Sequence, residues 1–226
     1  MRLRLPSGRQ VLITPAFFWE SPEKALCVVR TAGAFHPSHV TTQMCLALLE
    51  QRLATHGCET LLDVGCGSGI LALTGAALGV GRCVGLDIDP RAVRRARANA
   101  RSNALEARTL WFTGSCAAVR GTFDCVLANL RFEVLMELLE ALVRLLAKDG
   151  VLILSGFQDI HWYEVMAEFH RLGLMPLHEL ARDHSFYDVP PSGSFTWMAV
   201  AAGRARQHPQ AAGKRSSATR HRDLPG

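Results

Sequence analysis

Leu61-Leu-Asp-Val-Gly-Cys-Gly-Ser-Gly69 is the stretch that decides the fold. A short apolar strand, residues 61–64, runs into a glycine loop, and a helix follows over about 68–78. Doubly wound α/β sheets bind ligands at such a joint. Glycines there permit a tight turn and let the backbone approach a ligand that a Cβ would obstruct. The spacing narrows the ligand. Gly-x-Gly-x-x-Gly would seat a pyrophosphate on the helix N-terminus. Here Gly65, Gly67 and Gly69 are spaced Gly-x-Gly-x-Gly, with Asp63 two residues ahead. A carboxylate there repels a pyrophosphate. It suits the ammonium and sulfonium of S-adenosyl-L-methionine.

Outward from the loop, strands and helices alternate. Toward the N-terminus, residues 3–5 and 11–13 flank Pro6-Ser-Gly-Arg-Gln10 and predict a short hairpin. A loop rich in Pro, Gly and His follows, then an amphipathic helix over about 41–55. Toward the C-terminus come a strand at 83–87 and a helix with Asp89 as N-cap and Pro90 at its first position. Strands at 109–113 and 123–128 lead to a helix over 134–146, which Asp149-Gly150 closes. A strand at 151–155, a helix over about 160–171 and strands near 174–180 and 195–201 complete the pattern. The expected fold is a doubly wound, Rossmann-like seven-stranded sheet that ends in an antiparallel edge hairpin. Residues 1–30 form a hairpin and lead-in, 31–202 the ligand-binding domain, and 203–226 a basic tail.

The strand ends supply further candidates. Asp87 closes the second strand of this unit, where an acid accepts hydrogen bonds from ribose hydroxyls. Ile88 is placed to pack on an adenine face and Ser115 to meet its edge. Asn129 follows the fourth strand, where its amide oxygen can orient a substrate N–H along the line of attack. Thr41, Thr42 and His39 either shape the methionine pocket or make an ordinary helix cap.

Composition excludes several other classes. No apolar run is long enough to span a bilayer, and no signal peptide is legible, so the chain reads as cytoplasmic with no membrane partner. The seven cysteines form no CxxC pair and read as structural thiols rather than as a disulfide set or a metal site. The net charge of +5 belongs to residues 203–226, because the first 202 residues hold 19 basic and 19 acidic side chains. That tail reads as solvated, with attraction to RNA or a ribosomal surface as the alternative. Arg91, Arg94, Arg95, Arg97 and Arg101 of the helix after Pro90 read as a solvated face, with a nucleic-acid surface as the alternative.

Several segments resemble the catalytic domain of the PrmA family of ribosomal-protein methyltransferases. These are Ala34-Phe35 with His39 and Thr41-Thr42, the glycine loop, Gly85-Leu-Asp-Ile-Asp-Pro90, Ala98-Asn-Ala-x-x-Asn103, Gly114-Ser115 and Phe123-Asp124. Ala128-Asn-Leu130, Gly150-Val-Leu-Ile-Leu-Ser-Gly156 and Trp197-Met-Ala-Val-Ala-Ala-Gly-Arg204 complete the set. The resemblance covers about residues 30–204. It implies an N-methyltransferase that uses S-adenosyl-L-methionine, leaves S-adenosyl-L-homocysteine and modifies lysine or N-terminal amines of a protein, with a ribosomal protein as the candidate acceptor. Two departures stand out. The chain begins too late to contain the family's N-terminal substrate-binding domain, and His36-Pro37-Ser38 replaces the family's Gly-Thr-Gly. Two alternatives follow: methylation of a small molecule or RNA, and a non-catalytic partner protein that binds the cofactor. Asn129-Leu-Arg-Phe132 in place of Asn-Pro-Pro-aromatic argues against a base-flipping enzyme.

Overall fold

The computed structural model describes residues 1–15, 25–31, 39–183 and 193–205. Arg2-Leu-Arg4 alternates exposed, buried, exposed and forms β1 (Arg2–Arg4), antiparallel to β2 (Gln10–Pro15) with Leu3 opposite Val11. Glu50 holds the turn between them, accepting the Ser7 backbone N–H at 2.9 Å and its hydroxyl. A third strand, β3 (Cys27–Thr31), lies parallel to β2. It replaces part of the loop expected there. Its β-branched Val28, Val29 and Thr31 favour an extended chain, and Cys27 and Val29 turn into the core.

The helix α1 (Val40–His56) precedes β4 (Thr60–Val64), α2 (Ile70–Ala77), β5 (Arg82–Asp87) and α3 (Pro90–Ser102). Asp89 caps α3 by accepting the Arg91 N–H at 2.8 Å, with Pro90 at the start of the helix, as the sequence predicts. Next come β6 (Thr109–Thr113), β7 (Phe123–Asn129), α4 (Phe132–Arg144), β8 (Leu146–Gln158), α5 (Trp162–Arg171), β9 (Leu174–Asp183) and β10 (Thr196–Arg204). The main sheet has the order β6-β5-β4-β7-β8-β10-β9. Strands β4 to β8 are mutually parallel, and β10 enters antiparallel between β8 and β9. This is the expected doubly wound sheet with its antiparallel pair. The last strand fills an inner position and leaves β9 on the edge.

Two apolar layers cover the sheet, because neighbouring residues of a strand face opposite sides. Leu61, Cys125 and Leu127 pack with α1, α2 and the three-stranded sheet. Leu62, Val126 and Ala128 pack with α4 and α5. The N-terminal strands therefore share a core with the main sheet.

One junction differs from the expectation. The helix α4 ends at Arg144, and β8 already begins at Leu146, so Asp149-Gly150 lies within the strand rather than at the helix end. Leu146 pairs with Phe123 and Val151 with Cys125, and the residues between bulge out. Arg204 of β10 stops the helix: its Nη2 donates to the carbonyls of Val143 at 2.9 Å and Leu146 at 3.2 Å. The helix ends on a guanidinium that is 61 residues beyond Val143 in sequence. Among the described residues no helix is long and apolar enough to cross a membrane.

Candidate functional site

The parallel strands β4, β5, β6 and β7 end on one side of the sheet, and each delivers a residue named from the sequence. After β4, the loop folds back on β5 through bonds from the Gly65 and Cys66 N–H groups to the Leu86 carbonyl, both 2.9 Å. Gly65, Gly67 and Gly69 all adopt positive φ (73°, 55° and 83°). At Gly65 a Cβ would collide with Leu130, while at Gly67 nothing lies within 4 Å. Gly65 therefore serves packing, and Gly67 presents bare backbone to open space.

Asp87 sits at the centre of this edge. Its Oδ2 accepts the Gly67 N–H at 3.0 Å and its Oδ1 the Asp89 N–H at 2.9 Å. Each carboxylate oxygen keeps a further lone pair, so the group can still accept hydroxyls. Ile88 beside it is 80% exposed, an apolar side chain left without cover. Gly114 donates to the Asp87 carbonyl at 3.0 Å, which brings the exposed Ser115 alongside.

Asp63 is placed differently from its neighbours. It is 1% exposed, and its Oδ2 accepts the Ala72 N–H of α2 at 3.2 Å. Burial pushes its carboxyl up to about 7, against that hydrogen bond, and the nearby Asp87 adds to the rise. Asp63 thus ties the glycine loop to the helix from beneath.

The fourth strand end carries Asn129. Its Nδ2 donates to Thr42 Oγ1 at 3.2 Å, joining β7 to the first turn of α1. Its Oδ1 is buried and has no hydrogen-bond partner among the described residues. A buried carbonyl oxygen left unpaired is costly, so this atom is a ready acceptor. Thr41 takes a different part. His39 caps α1 by accepting the Thr41 N–H at 3.4 Å and sits 3.0 Å from its hydroxyl, with the His39 ring edge-on to Trp197. The two threonines therefore face different partners, Thr41 the cap residue His39 and Thr42 the strand-end Asn129.

Three contributions escaped sequence reasoning. Leu130 donates its N–H to Ser155 at 3.1 Å and fills the space a side chain on Gly65 or Gly156 would need, which locks the position of Asn129. Asn99 of α3, fully buried, donates to the Ser68 carbonyl at 2.9 Å while both its amide groups engage Arg30 of β3. Phe132 stacks on His161 with ring centroids 3.8 Å apart, closing the side beyond β7 and β8. Only the Ala-Asn-Ala-x-x-Asn run hinted at Asn99.

The cysteines lie apart from this edge in chemistry. All seven are free, and six are buried. Burial pushes the Cys27 thiol up to about 11, as befits small core side chains. A cavity of about 600 Å³ lined by Arg52, His56, Cys58, Asp124 and Lys148 lies at the opposite, amino end of the strands. His36-Pro37-Ser38, Ala34-Phe35, most of the 183–194 loop and nearly all of the basic tail fall outside the described residues.

Comparison with known proteins places this edge. The family model for ribosomal protein L11 methyltransferase (PrmA) matches residues 5–183. A ribosomal protein L11 methyltransferase of Pelobacter propionicus is 40% identical over 159 residues, covering 66% of this chain and 50% of that protein. One from Dechloromonas aromatica is 45% identical over 130 residues, covering 58% and 42%. The chain spans about half the length of the curated relatives it matches. Among solved structures, a ribosomal protein L11 methylase from Lactobacillus delbrueckii subsp. bulgaricus aligns with TM-score 0.71 and 26% identity, over 87% of this chain and 95% of that one. A magnesium protoporphyrin IX methyltransferase from Synechocystis, solved with S-adenosylmethionine, shares the fold at TM-score 0.61 and 19% identity, over 72% and 79% of the two chains. The glycine loop, the strand-end Asp87 and the Asn129–Thr42 pair thus sit in a sheet whose sequence assigns it: the chain belongs to the ribosomal protein L11 methyltransferase (PrmA) family.

Proposed function

We propose that the chain is an N-methyltransferase that takes S-adenosyl-L-methionine and methylates lysine or N-terminal amines of a ribosomal protein. The observation that carries this is the buried, unpaired Oδ1 of Asn129, held beside Thr42 on the edge where Gly67 and Asp87 open. Family membership supports the same reaction.

The cofactor, when bound, supplies a methyl group on a positively charged sulfur, which a neutral amine displaces to leave S-adenosyl-L-homocysteine. The chain's own residues prepare that displacement. Gly67 lets the ligand lie against backbone, and the spare lone pairs of Asp87 accept ribose hydroxyls. Ile88 covers one face of the adenine and Ser115 meets its edge. Asp63 sits near its titration point at neutral pH, and an ammonium beside it favours its ionised form. Thr42 fixes the Asn129 amide so that Oδ1 accepts an N–H of the incoming amine and aims its lone pair. Since a free lysine has a pKa of about 10.4, the site must also desolvate the amine or take its proton.

The test is incubation of the chain and Asn129→Ala with methyl-labelled cofactor and stripped large-subunit ribosomal proteins, followed by mass spectrometry. The expected outcome is label on amines of a ribosomal protein, with kcat reduced about 100-fold in the variant through lost alignment. Label confined to RNA or small metabolites, or an unchanged kcat, overturns the proposal.

A further inference from the structure

The exposed face of α3 carries an unbalanced charge. The helix contains Arg91, Arg94, Arg95, Arg97 and Arg101 and no acidic side chain. At about 100° per residue these five fall within an arc of roughly 160°, and Ala92, Val93, Ala96, Asn99 and Ala100 occupy the opposite, buried arc. Between the arginines the outer arc holds only Pro90, Ala98 and Ser102. The side chains of Arg91, Arg94 and Arg101 make no hydrogen bond or ion pair among the described residues; the ion pairs found there involve only His161 and Arg171 as cations. Arg97 donates to the Trp111 carbonyl at 3.0 Å, and Arg30 of β3 reaches the Ser102 hydroxyl at 2.7 Å, extending the row past the helix end.

This face is not the average surface of the molecule. Residues 82–108 hold seven of the 19 basic and three of the 19 acidic side chains of the first 202 residues. The stretch is net +4 on a body that is otherwise net −4. The arrangement also costs helix stability. Arg91/Arg94, Arg91/Arg95, Arg94/Arg97 and Arg97/Arg101 are like-charged pairs at the spacings where side chains meet, with no acid to offset them. A merely solvated face would gain from an interspersed Glu.

We infer that the arginine face of α3 is a docking surface for the phosphodiester backbone of RNA. Guanidinium groups suit phosphate oxygens in geometry and charge, and Arg91 to Arg101 span about 15 Å of helix, enough for several successive phosphates. A membrane surface would need apolar side chains among the cations, and Ala98 is too small to serve. The choice of RNA among polyanions rests on the proposed function, since a ribosomal-protein acceptor has RNA as its natural company. The face begins directly after Asp87-Ile-Asp89, so RNA bound there lies beside the adenosine end of the site.

The test is fluorescence anisotropy of a labelled RNA hairpin with the full chain across a salt series. Arg91, Arg94 and Arg101 are changed together to Gln, and Lys214, Arg215, Arg220 and Arg222 of the tail are changed in a separate variant. Three lost phosphate contacts lower the slope of log affinity against log salt by about 2.7 and the affinity at least ~10-fold. The helix variant keeps or raises its thermal midpoint, because repulsion is removed. The tail variant keeps the share of the slope that belongs to α3. Unchanged affinity and slope in the helix variant, or binding abolished by the tail substitutions alone, overturn the inference. Binding to phosphatidylglycerol vesicles without binding to RNA overturns it as well. Methylation of free, RNA-stripped acceptor by the helix variant is scored separately; its failure speaks against the proposed function and leaves the RNA measurement standing.

Discussion

At the scale of single residues, Asp63 shows how one side chain changes meaning on folding. In the sequence it is an acid poised before a glycine loop. In the fold it is enclosed, bonded to the Ala72 N–H, and its carboxyl rises from 3.8 to about 7. The sign of the consequence follows from proton uptake. Below about pH 4 both the folded and unfolded chains hold the proton. Between there and about 7 the unfolded chain releases a proton that the fold retains, so stability falls as pH rises, and above 7 the full penalty stands, on the order of 4 kcal/mol. Asp63→Asn keeps an oxygen for the Ala72 N–H and removes the titration. Urea midpoints of the variant should therefore stay flat between pH 4 and 8 where those of the parent chain decline; superimposable profiles would refute this. The candidate residues Gly67, Asp87, Ile88, Ser115 and Asn129 could be named from the sequence because each stands at or just after a strand end, a position that periodicity reveals. The different partners of Thr41 and Thr42 were not, since two adjacent hydroxyls at the start of a helix look alike in sequence.

At the scale of elements, α3 and β3 form a joint whose two asparagines stand in the Ala-Asn-Ala-x-x-Asn run but whose partner strand no local pattern announces. Asn103 accepts the Val28 N–H and donates to its carbonyl, both at 2.7 Å, and Asn99 does the same for Arg30, each bond 3.0 Å. Two asparagines one helical turn apart thus replace a neighbouring strand along the free edge of β3. Such pairing satisfies backbone groups that would otherwise be buried unpaired. Asn99→Ala and Asn103→Ala should each cost about 2–3 kcal/mol in denaturant unfolding. Only Asn99 also holds Ser68 in the glycine loop, so calorimetry should show cofactor affinity falling about tenfold for Asn99→Ala and staying near the parent value for Asn103→Ala. Equal affinities in the two variants would show that the joint does not reach the loop. The early end of α4 has a similar origin: the run from Leu138 to Leu146 is apolar enough to continue as helix, and Arg204 decides otherwise.

At the scale of the whole molecule, the closing strand holds the sheet together. Strand β10 pairs with both β8 and β9, and its Ala199, Val200, Ala201 and Ala202 are buried. A chain that stops before Thr196 leaves two unpaired edges and bare apolar faces on both sides of the sheet. Its thermal unfolding should lose cooperativity, seen as a broadened calorimetric transition and a weakened near-ultraviolet circular dichroism spectrum; a sharp transition at the parent midpoint would contradict that. By itself the sequence determined the alternation of strands and helices, the glycine loop and the family, because these are written in spacings of a few residues. Tertiary structure decided that β10 lies inside the sheet, that Leu130 wedges between Gly65 and Gly156, and that Asn129 offers an unpaired oxygen. Those features depend on groups that meet only after the chain has closed, so their cause is contact across the fold rather than order along it. The opening glycine loop is a case of both: its spacing is written in the chain, and its anchoring to Asp87, Ala72 and Asn99 comes from three other elements.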